Sequence, residues 1–572
     1  MKNQILSDMF DRMADVLELG GEDPFKVNAY RKASRVIKEL KEDIENVWKT
    51  DRLNTLPGVG TGLAKKIEEF LKTGRMTKYE EIIGSVPSDL VDLLGIQNLG
   101  PKTLARAHKE LAVNTLEDLK QVIQNGRLAQ LPGMGQKKVE NILKGIALRE
   151  ESTGRIPLGK VLPVVDEIIH ALRKHLSTGR IYPAGSVRRM QETVGDIDIL
   201  VETDPSRDIL EAFTSLPLAR RILGRGKTKA SILIEGNIQV DLRAVSSDSY
   251  GAALQYFTGS QAHNVRLRSM AKEQGYKLNE YGIFKGEKKI GGETEEEIYE
   301  MFDLTWIPPE LREDRGEIEA AVEGRLPELV DLYDINGDFH VHTNWSDGTA
   351  SIKEMAQKAA SMGYTFIGIC DHSSSAAYAG GLTPERLLEQ IKKIREANRE
   401  IQGIRILSGA EVDIRTDGTL DFADEILAEL DIVIASVHSG FKHHVTERFI
   451  TASRNPYVSI LAHPTGRIIG QREGYEVDLD RVMNVCVETG TALELNAYYE
   501  RLDLNDTNTR KAKEAGIKIA IGTDAHNTDH LDAMRLGLGV ARRGWLEKRD
   551  VLNSLSVAEI LKFSKRKRLA QF

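Results

Sequence analysis

The chain is 572 residues long, far larger than one hydrophobic core, which predicts about three to five domains. Hydrophobic residues make up 41% and charged residues 29%, the balance of ordinary globular domains, and two cysteines, Cys370 and Cys486, exclude a disulfide framework and suit a reducing cytoplasm. There is no run of about 18 apolar residues, and the opening MKNQILSDMF lacks a signal-peptide core, so neither a membrane span nor a leader is expected. The net charge of −8 excludes a uniformly basic nucleic-acid binder but averages over domains, and an acidic half can mask a basic one.

The first 150 or so residues read as short helices separated by glycine turns. A related signature occurs three times, as LPGVGTGLAKKI from Leu56, LGIQNLGPKTLARA from Leu94 and LPGMGQKKVENI from Leu131. Each places a glycine turn (Gly58 and Gly60; Gly100; Gly133 and Gly135) before a helix that starts with lysines. Such a turn aims backbone N–H groups and a helix N-terminus at one point and holds a phosphate without reading a base. One copy alone is a tight helix–helix turn; three copies point to helix-hairpin-helix elements gripping nucleic-acid backbone. The reading is a DNA 5'-end-binding domain over 1–85 and a fingers-type DNA-binding domain over 86–155.

From about 156 strand-like runs appear, at Asp196–Glu202, Ala230–Gly236 and Ile238–Val245, which predicts an α/β domain over 156–247. Asp196 and Asp198, two apart on the first run, project from one face. Two adjacent carboxylates require a cation, and a divalent pair would stabilise both attacking and leaving oxygens. Asp241, on the third run, supplies the third carboxylate by pattern. Upstream, Gly185-Ser186-Val187-Arg188-Arg189 adds a Gly-Ser turn, and Ser186, Arg189 and the N–H of Gly195 are placed to hold triphosphate oxygens. DxD alone is common; joined to that turn it is specific for nucleotidyl transfer. Helices follow over Tyr250–Gln274, within a segment taken as 248–315, and the charged stretch 316–334 reads as a linker with some helix.

Beyond Ile335, β and α segments alternate over 335–572, a (β/α) barrel-like pattern. Six of the thirteen histidines fall here in metal-ligand patterns. His340 and His342 form an HxH, Asp347 lies in a short turn, His372 and Glu411 close two further runs, and His438, His463, Asp524 and His526 end the remaining ones. Ligands at strand C-termini converge on one barrel face. Nine donors exceed one tetrahedral site and suit two or three ions, and mixed imidazole and carboxylate ligation favours Zn2+, Mn2+ or Fe2+ over Ca2+. The matching chemistry is metal-assisted phosphoester hydrolysis. His443 and His444 read as loop residues, and Cys370 as a core residue.

Residues 1 to about 315 resemble the family X DNA polymerases. The stretch Glu22–Lys32 is similar to the opening of that family's small N-terminal domain, and Tyr256-Phe257-Thr258-Gly259-Ser260 matches its nucleotide-pocket signature. The resemblance implies a nucleotidyltransferase palm over 156–247 and a thumb over 248–315. It implies Mg2+ or Mn2+ held by Asp196, Asp198 and Asp241, and Tyr256, Phe257 and Gly259 shaping the sugar side of the pocket against ribonucleotides. It implies Asn264 touching the incoming base and Arg268 the template-side minor groove. Lys66 falls where the family's lyase lysine stands, but Gly62 replaces a supporting lysine, which argues against lyase chemistry and leaves 5'-phosphate recognition through Lys26, Tyr30 and the hairpin. Gln239 stands where the family has an arginine. The histidine-rich half resembles the PHP (polymerase and histidinol phosphatase) domain. By that resemblance His340, His342, Glu411 and Asp524 hold one metal, Glu411, His438 and His463 a second, and Asp347, His372 and His526 a third.

The sequence thus reads as a multidomain cytoplasmic enzyme, with α-helical helix-hairpin-helix domains, an α/β palm and thumb, and a barrel-like PHP domain. It is expected to fill short gaps in base excision repair, taking dNTPs and gapped or primer-template DNA with a 5'-phosphate, and to trim 3' ends or process abasic sites as a monomer. Two other readings stand beside it. One makes the first half a DNA-binding module for a nuclease, and the other makes the second half a small-molecule phosphatase.

Overall fold

In the computed structural model of the protein, residues 2–569 are described apart from 39, 41–43, 57, 74, 84–89, 91–92, 94–98, 100, 132–133, 152–154, 177–178, 204–206 and 470–473. The chain divides into two units, Met1–Gly154 and Arg155–Phe572. No described helix is long and apolar enough to cross a membrane.

The first unit has no strand among its described residues. Helix Lys2–Leu19 buries Leu6, Phe10, Met13 and Leu17, at helical spacing, against Val27, Tyr30, Ala33 and Ile37 of helix Pro24–Lys38. The first glycine turn leads into helix Thr61–Thr73. Gly58 has φ +83°, and a Cβ there would lie 2.7 Å from the Lys32 side chain, so both backbone hand and close approach demand glycine. Gly60 and Gly135 precede their helices as expected; Gly100 and Gly133 lie outside the described residues.

The second unit begins with β1 (Ile156–Pro157) paired to β3 (Thr193–Val194), and a five-stranded sheet ordered β2-β4-β7-β6-β5, with β2 Ile181–Pro183, β4 Ile197–Glu202, β5 Arg221–Arg225, β6 Lys229–Leu233 and β7 Gln239–Val245. Strands β4 and β7 are parallel; the other pairs in this sheet are antiparallel. Helix Leu158–Arg173 buries an apolar stripe from Leu158 to Leu172 against this sheet. Helices Tyr250–Thr258 and Gln261–Glu273 follow, then a small antiparallel sheet of β8 (Lys277–Asn279), β9 (Gly282–Lys285) and β10 (Lys288–Gly291). The stretch expected as a linker is docked structure instead. Helix Glu317–Val322 buries Ile318 and Ala321 in the same cluster as Leu267, Ile298 and Tyr299.

The rest is a parallel seven-stranded sheet in sequence order, β11 (Gly337–Val341), β12 (Phe366–Ile369), β13 (Arg405–Asp413), β14 (Ile432–Ser436), β15 (Ile460–Leu461), β16 (Ala492–Asn496) and β17 (Ile519–Gly522). Just past β17, Asp524 N–H donates to His340 O and His342 N–H to Ala525 O, bridging last strand to first. Alternation along each strand then sorts the chemistry into layers. On β13, Leu407 and Glu411 share a face, as do Ala492 and Glu494 on β16. The apolar members join Phe339, Ile434 and Ile460 in a cluster that includes Ile560 of the last helix; the polar members lie toward the C-terminal edge.

Candidate active sites

The palm carboxylates meet. Asp198 and Asp241 are direct partners across the parallel pair β4 and β7. Asp196 stands one residue before β4 rather than on it, at a bend, because the strand starts only where Ile197 is buried. Burial and then the Asp196 and Asp241 charges push Asp198 up to about 7, and burial with Asp241 raises Asp196. Asp241 is buried, pairs with Lys229 Nζ at 2.6 Å and accepts from Gln239 Nε2 at 3.0 Å. Gln239 therefore serves this carboxylate directly. Crowded like charges of this kind fit a divalent cation.

Around this triad, Ser186 lies in the short helix Gly185–Arg188, and a Cβ on Gly185 would lie 2.6 Å from Asp198 Oδ2. Gly195 is exposed beside Asp196. Arg189 binds Glu313 through Nε (2.9 Å) and Thr258 O through Nη1 (2.5 Å). Tyr256 and Phe257 meet edge to face at 5.2 Å, and Arg243 lies over the Phe257 ring at 4.3 Å. Gly259 has φ +73°. Asn264 donates to Tyr256 O (2.7 Å) and accepts from Gln255 (2.7 Å), and Arg268 Nε donates to Asn264 O.

Glu313, absent from the sequence reading, ties this pocket to the barrel. It accepts from Arg189, Gln191 (2.6 Å) and the buried Arg543 (2.9 Å), and Arg543 also pairs with Asp506 at 2.7 Å. Burial opposes, but Arg543 and Arg189 bring Glu313 down to about 2.

In the first unit, Lys66 Nζ lies 5.8 Å from the centre of the buried Tyr30 ring. Burial, Lys78 and Lys26 lower the Lys66 pKa. The expected trio of Lys26, Tyr30 and Lys66 is thus brought together, with Lys78 as an addition the sequence reading missed.

At the barrel's C-terminal edge all nine expected donors converge. Glu411 is the hub. Its carboxylate lies 3.5 Å from His340, 3.7 Å from His342, 2.8 Å from His372, 3.2 Å from His438 and 2.9 Å from His463. Three groups have donors close enough to share an ion, namely His342, Asp347, His372 and His526; His340, His342 and Asp524; and His372, Glu411 and His438. The partition differs from the expected one. His372 serves the Glu411 group as well as Asp347, and His342 serves both the Asp347 and Asp524 groups.

The arrangement fits metal better than protein hydrogen bonding. His340 Nε2 and His342 Nε2 are 3.1 Å apart, and the buried Nδ1 atoms of His342 and His463 have no hydrogen-bond partner among the described residues. Burial opposes, yet Glu411 and Asp347 push His372 up to about 10, and Glu411 and Asp413 push His438 up to about 9. Burial then takes His342 down to about 4, helped by His372. The Glu411 carboxyl is held well below its usual range, against burial, by His438, His372 and His340.

A second layer orients these donors. Glu494 accepts from His340 Nδ1 (2.6 Å) and His463 N–H (2.7 Å), Asp413 pairs with His438 Nδ1 (2.9 Å), and Asn496 donates to Asp524 (3.1 Å). Asp371 accepts from Thr343, Ser346 and Gln390, fixing the loop after β11. Only same-face spacing on the strand, as with Glu411 and Asp413, could have flagged these residues. Cys370 is buried with its thiol on Phe339 O, as a core residue, and burial raises its pKa.

Comparison with known proteins agrees with this division. Residues 1–76 match the helix-hairpin-helix domain model and 90–147 the SAM-like helix-hairpin-helix tandem. Residues 253–313 match the DNA polymerase beta thumb, and 338–498 the PHP domain. The DNA polymerase/3'-5' exonuclease PolX of Bacillus subtilis (strain 168) is 40% identical over 568 residues, 98% of both chains. DNA polymerase lambda of Arabidopsis thaliana is 24% identical over 347 residues, 54% of this chain and 62% of that one. A probable phosphatase of Thermoanaerobacter sp. (strain X514) is 33% identical over 246 residues, 40% of this chain and 96% of its own. With 98% of its length aligned to PolX, the chain belongs to the bacterial family X DNA polymerases that carry a C-terminal PHP domain.

Proposed function

We propose that the chain is a DNA polymerase that fills short gaps during repair, base excision repair included, with a metal-dependent 3'-5' exonuclease in its PHP half. The observation that carries this reading is the pairing of Asp198 with Asp241 across β4 and β7, in a chain similar end to end to a polymerase/exonuclease. Asp196, Asp198 and Asp241 would hold Mg2+ or Mn2+, which when bound would neutralise charge on the attacking and leaving oxygens. Ser186, Arg189 and the Gly195 N–H receive the triphosphate. Tyr256, Phe257 and Gly259 wall the sugar, Asn264 faces the base, and Arg268 the template side. The hairpins, with Lys26, Tyr30 and Lys66, grip backbone and a 5'-phosphate.

In the barrel, His340, His342, Asp347, His372, Glu411, His438, His463, Asp524 and His526 would hold two or three ions of Zn2+, Mn2+ or Fe2+, which when bound would supply a water nucleophile and charge for the scissile phosphate. Glu411 sits where ions can share it, and Glu494 and Asp413 keep the imidazoles oriented. Abasic-site processing uses the same phosphoester chemistry, and the enzyme works in the cytoplasm as a monomer. The test is a crossed pair of variants. Asp196→Ala with Asp198→Ala should abolish nucleotide addition and spare 3' trimming, and His340→Ala with His342→Ala should do the reverse. If either double variant, still folded by circular dichroism, lost both reactions, two independent sites would be the wrong description. The probable phosphatase that aligns with the PHP half supports a second reading, a small phosphomonoester as substrate. Phosphate release from histidinol phosphate, measured beside nucleotide release from a 3' end, separates the two.

A further inference from the structure

Six of the seven barrel strands lead a metal-type donor into the site, and β16 does not. Its inward polar residues, Glu494 and Asn496, brace His340, His463 and Asp524. What β16 contributes beyond them is the turn at 497–504. The turn is closed at its base, where Asn496 and Asp503 exchange backbone hydrogen bonds of 2.5 and 3.1 Å. The buried Asp503 carboxylate accepts from Thr465 N–H (3.0 Å) and Gly466 N–H (2.8 Å), tying the turn to the loop after β15. Arg501 N–H and Leu502 N–H both donate to Tyr498 O (2.8 and 3.1 Å). The turn is therefore held by backbone and by Asp503, and the Arg501 side chain is not needed to shape it.

That side chain is aimed at the site without being satisfied by it. Arg501 Nε lies 3.8 Å from Asp524 Oδ2, beyond hydrogen-bond reach. Its Nη1 is buried and has no hydrogen-bond partner among the described residues. Leaving a buried donor unpaired is destabilising, and more so when it is charged. An anionic ligand would remove that cost, and the planar guanidinium fork matches two oxygens of one phosphate. On the loop after β16, Arg501 places a fixed cation beside the donor Asp524. Resting on the nuclease reading above, we infer that Arg501 binds the non-bridging oxygens of the scissile phosphodiester and is a substrate-binding residue of the PHP site.

The test uses the full chain loaded with Mn2+ and three versions of it, wild type, Arg501→Met and Arg501→Lys. Each is assayed on bis(p-nitrophenyl) phosphate, which offers a diester without base or duplex, on p-nitrophenyl phosphate, and on a single-stranded 3' end. Bound metal is counted after gel filtration, inhibition by inorganic phosphate is titrated, and primer extension is run on a gapped duplex. We expect Arg501→Met to lower kcat/KM on the diester by about a hundredfold, the scale of losing one preorganised donor to a developing oxyanion. It should weaken phosphate inhibition at least about tenfold, with metal content and primer extension unchanged. Arg501→Lys should recover part of both losses. A monoester preference in wild type, with the same dependence on Arg501, would overturn the assignment to a phosphodiester. Diester hydrolysis and phosphate inhibition by Arg501→Met within about threefold of wild type would overturn the inference alone. Loss of bound metal in that variant would also overturn it, since Arg501 would then be a brace for Asp524. A wild-type protein that hydrolyses no phosphoester would sink the nuclease reading and this inference together.

Discussion

Loading the PHP cluster with a divalent ion should expel at least two protons at pH 7. In the metal-free protein His372 is pushed up to about 10 and His438 up to about 9, each against burial and each chiefly by Glu411. Both imidazoles are therefore protonated at neutral pH, and a cation binds only the neutral ring. Deprotonating them at pH 7 spans about five pH units, or about 7 kcal/mol at 1.36 kcal/mol per unit. The apparent affinity for Mn2+ should then climb about a hundredfold per pH unit between pH 7 and 8.5. Calorimetric titration of Mn2+ into chelator-stripped protein, repeated in buffers of different ionisation enthalpy, counts the protons directly. The same shifts set a stability slope. A histidine whose folded pKa lies above its unfolded value of about 6.5 stabilises the fold below that value and ceases to as pH rises through the folded pKa. Metal-free protein should accordingly lose stability to urea between about pH 7 and 10, and metal-loaded protein should not over the same window. Release of less than one proton with a shallow affinity profile would refute the reasoning, because the rings would then be neutral before the ion arrives.

Three further outcomes follow from particular contacts. Arg543→Met leaves Glu313 and Asp506 with one arginine each, Arg189 and Arg315, and should lower the stability of the second unit by about 3 kcal/mol in urea melts; a change under about 1 kcal/mol would mean the network is solvated. Because Asp198 is pushed up to about 7 by burial, Asp196 and Asp241, its charge is present above that pH and lost below it. The Mg2+ needed for half-maximal primer extension should rise about tenfold per pH unit below 7 and level off above about 8, and a flat profile would count against it. Gly522→Ala would put a Cβ 2.6 Å from both His340 Cβ and Glu494 Oε1. Overpacking of about 1–3 kcal/mol should displace His340 and cut bound metal and nuclease activity while primer extension persists, and unchanged metal content would contradict that.

The chemistry of this chain was more legible in its sequence than its packing. Metal donors announce themselves by residue type, and the nine in the barrel converge, five histidines on Glu411 and the rest around His342 and His372, because most of them sit at the ends of buried parallel strands. The same argument brought Asp198 opposite Asp241. What escaped were residues whose role depends on a partner far along the chain. Glu494 matters through His340, 154 residues away, and Glu313 through Arg543, 230 residues away, and no spacing rule links either pair. The short strands β5 and β8–β10 escaped because runs such as Arg221–Arg225 are mostly exposed and carry no alternation. Charge density suggested a linker at 316–334, yet the acidic helix there buries Ile318 and sets Glu317 on His263 at 2.7 Å.

The central claim is that two separate metal sites on one chain extend and trim the same DNA end. A gapped, 5'-phosphorylated duplex incubated with Mn2+, with and without dNTPs, tests it in one gel. With dNTPs the primer should lengthen to fill the gap, and without them it should shorten from its 3' end, each reaction vanishing only in its own double variant. A primer that never lengthens under any condition, in protein that binds the duplex, would contradict the account.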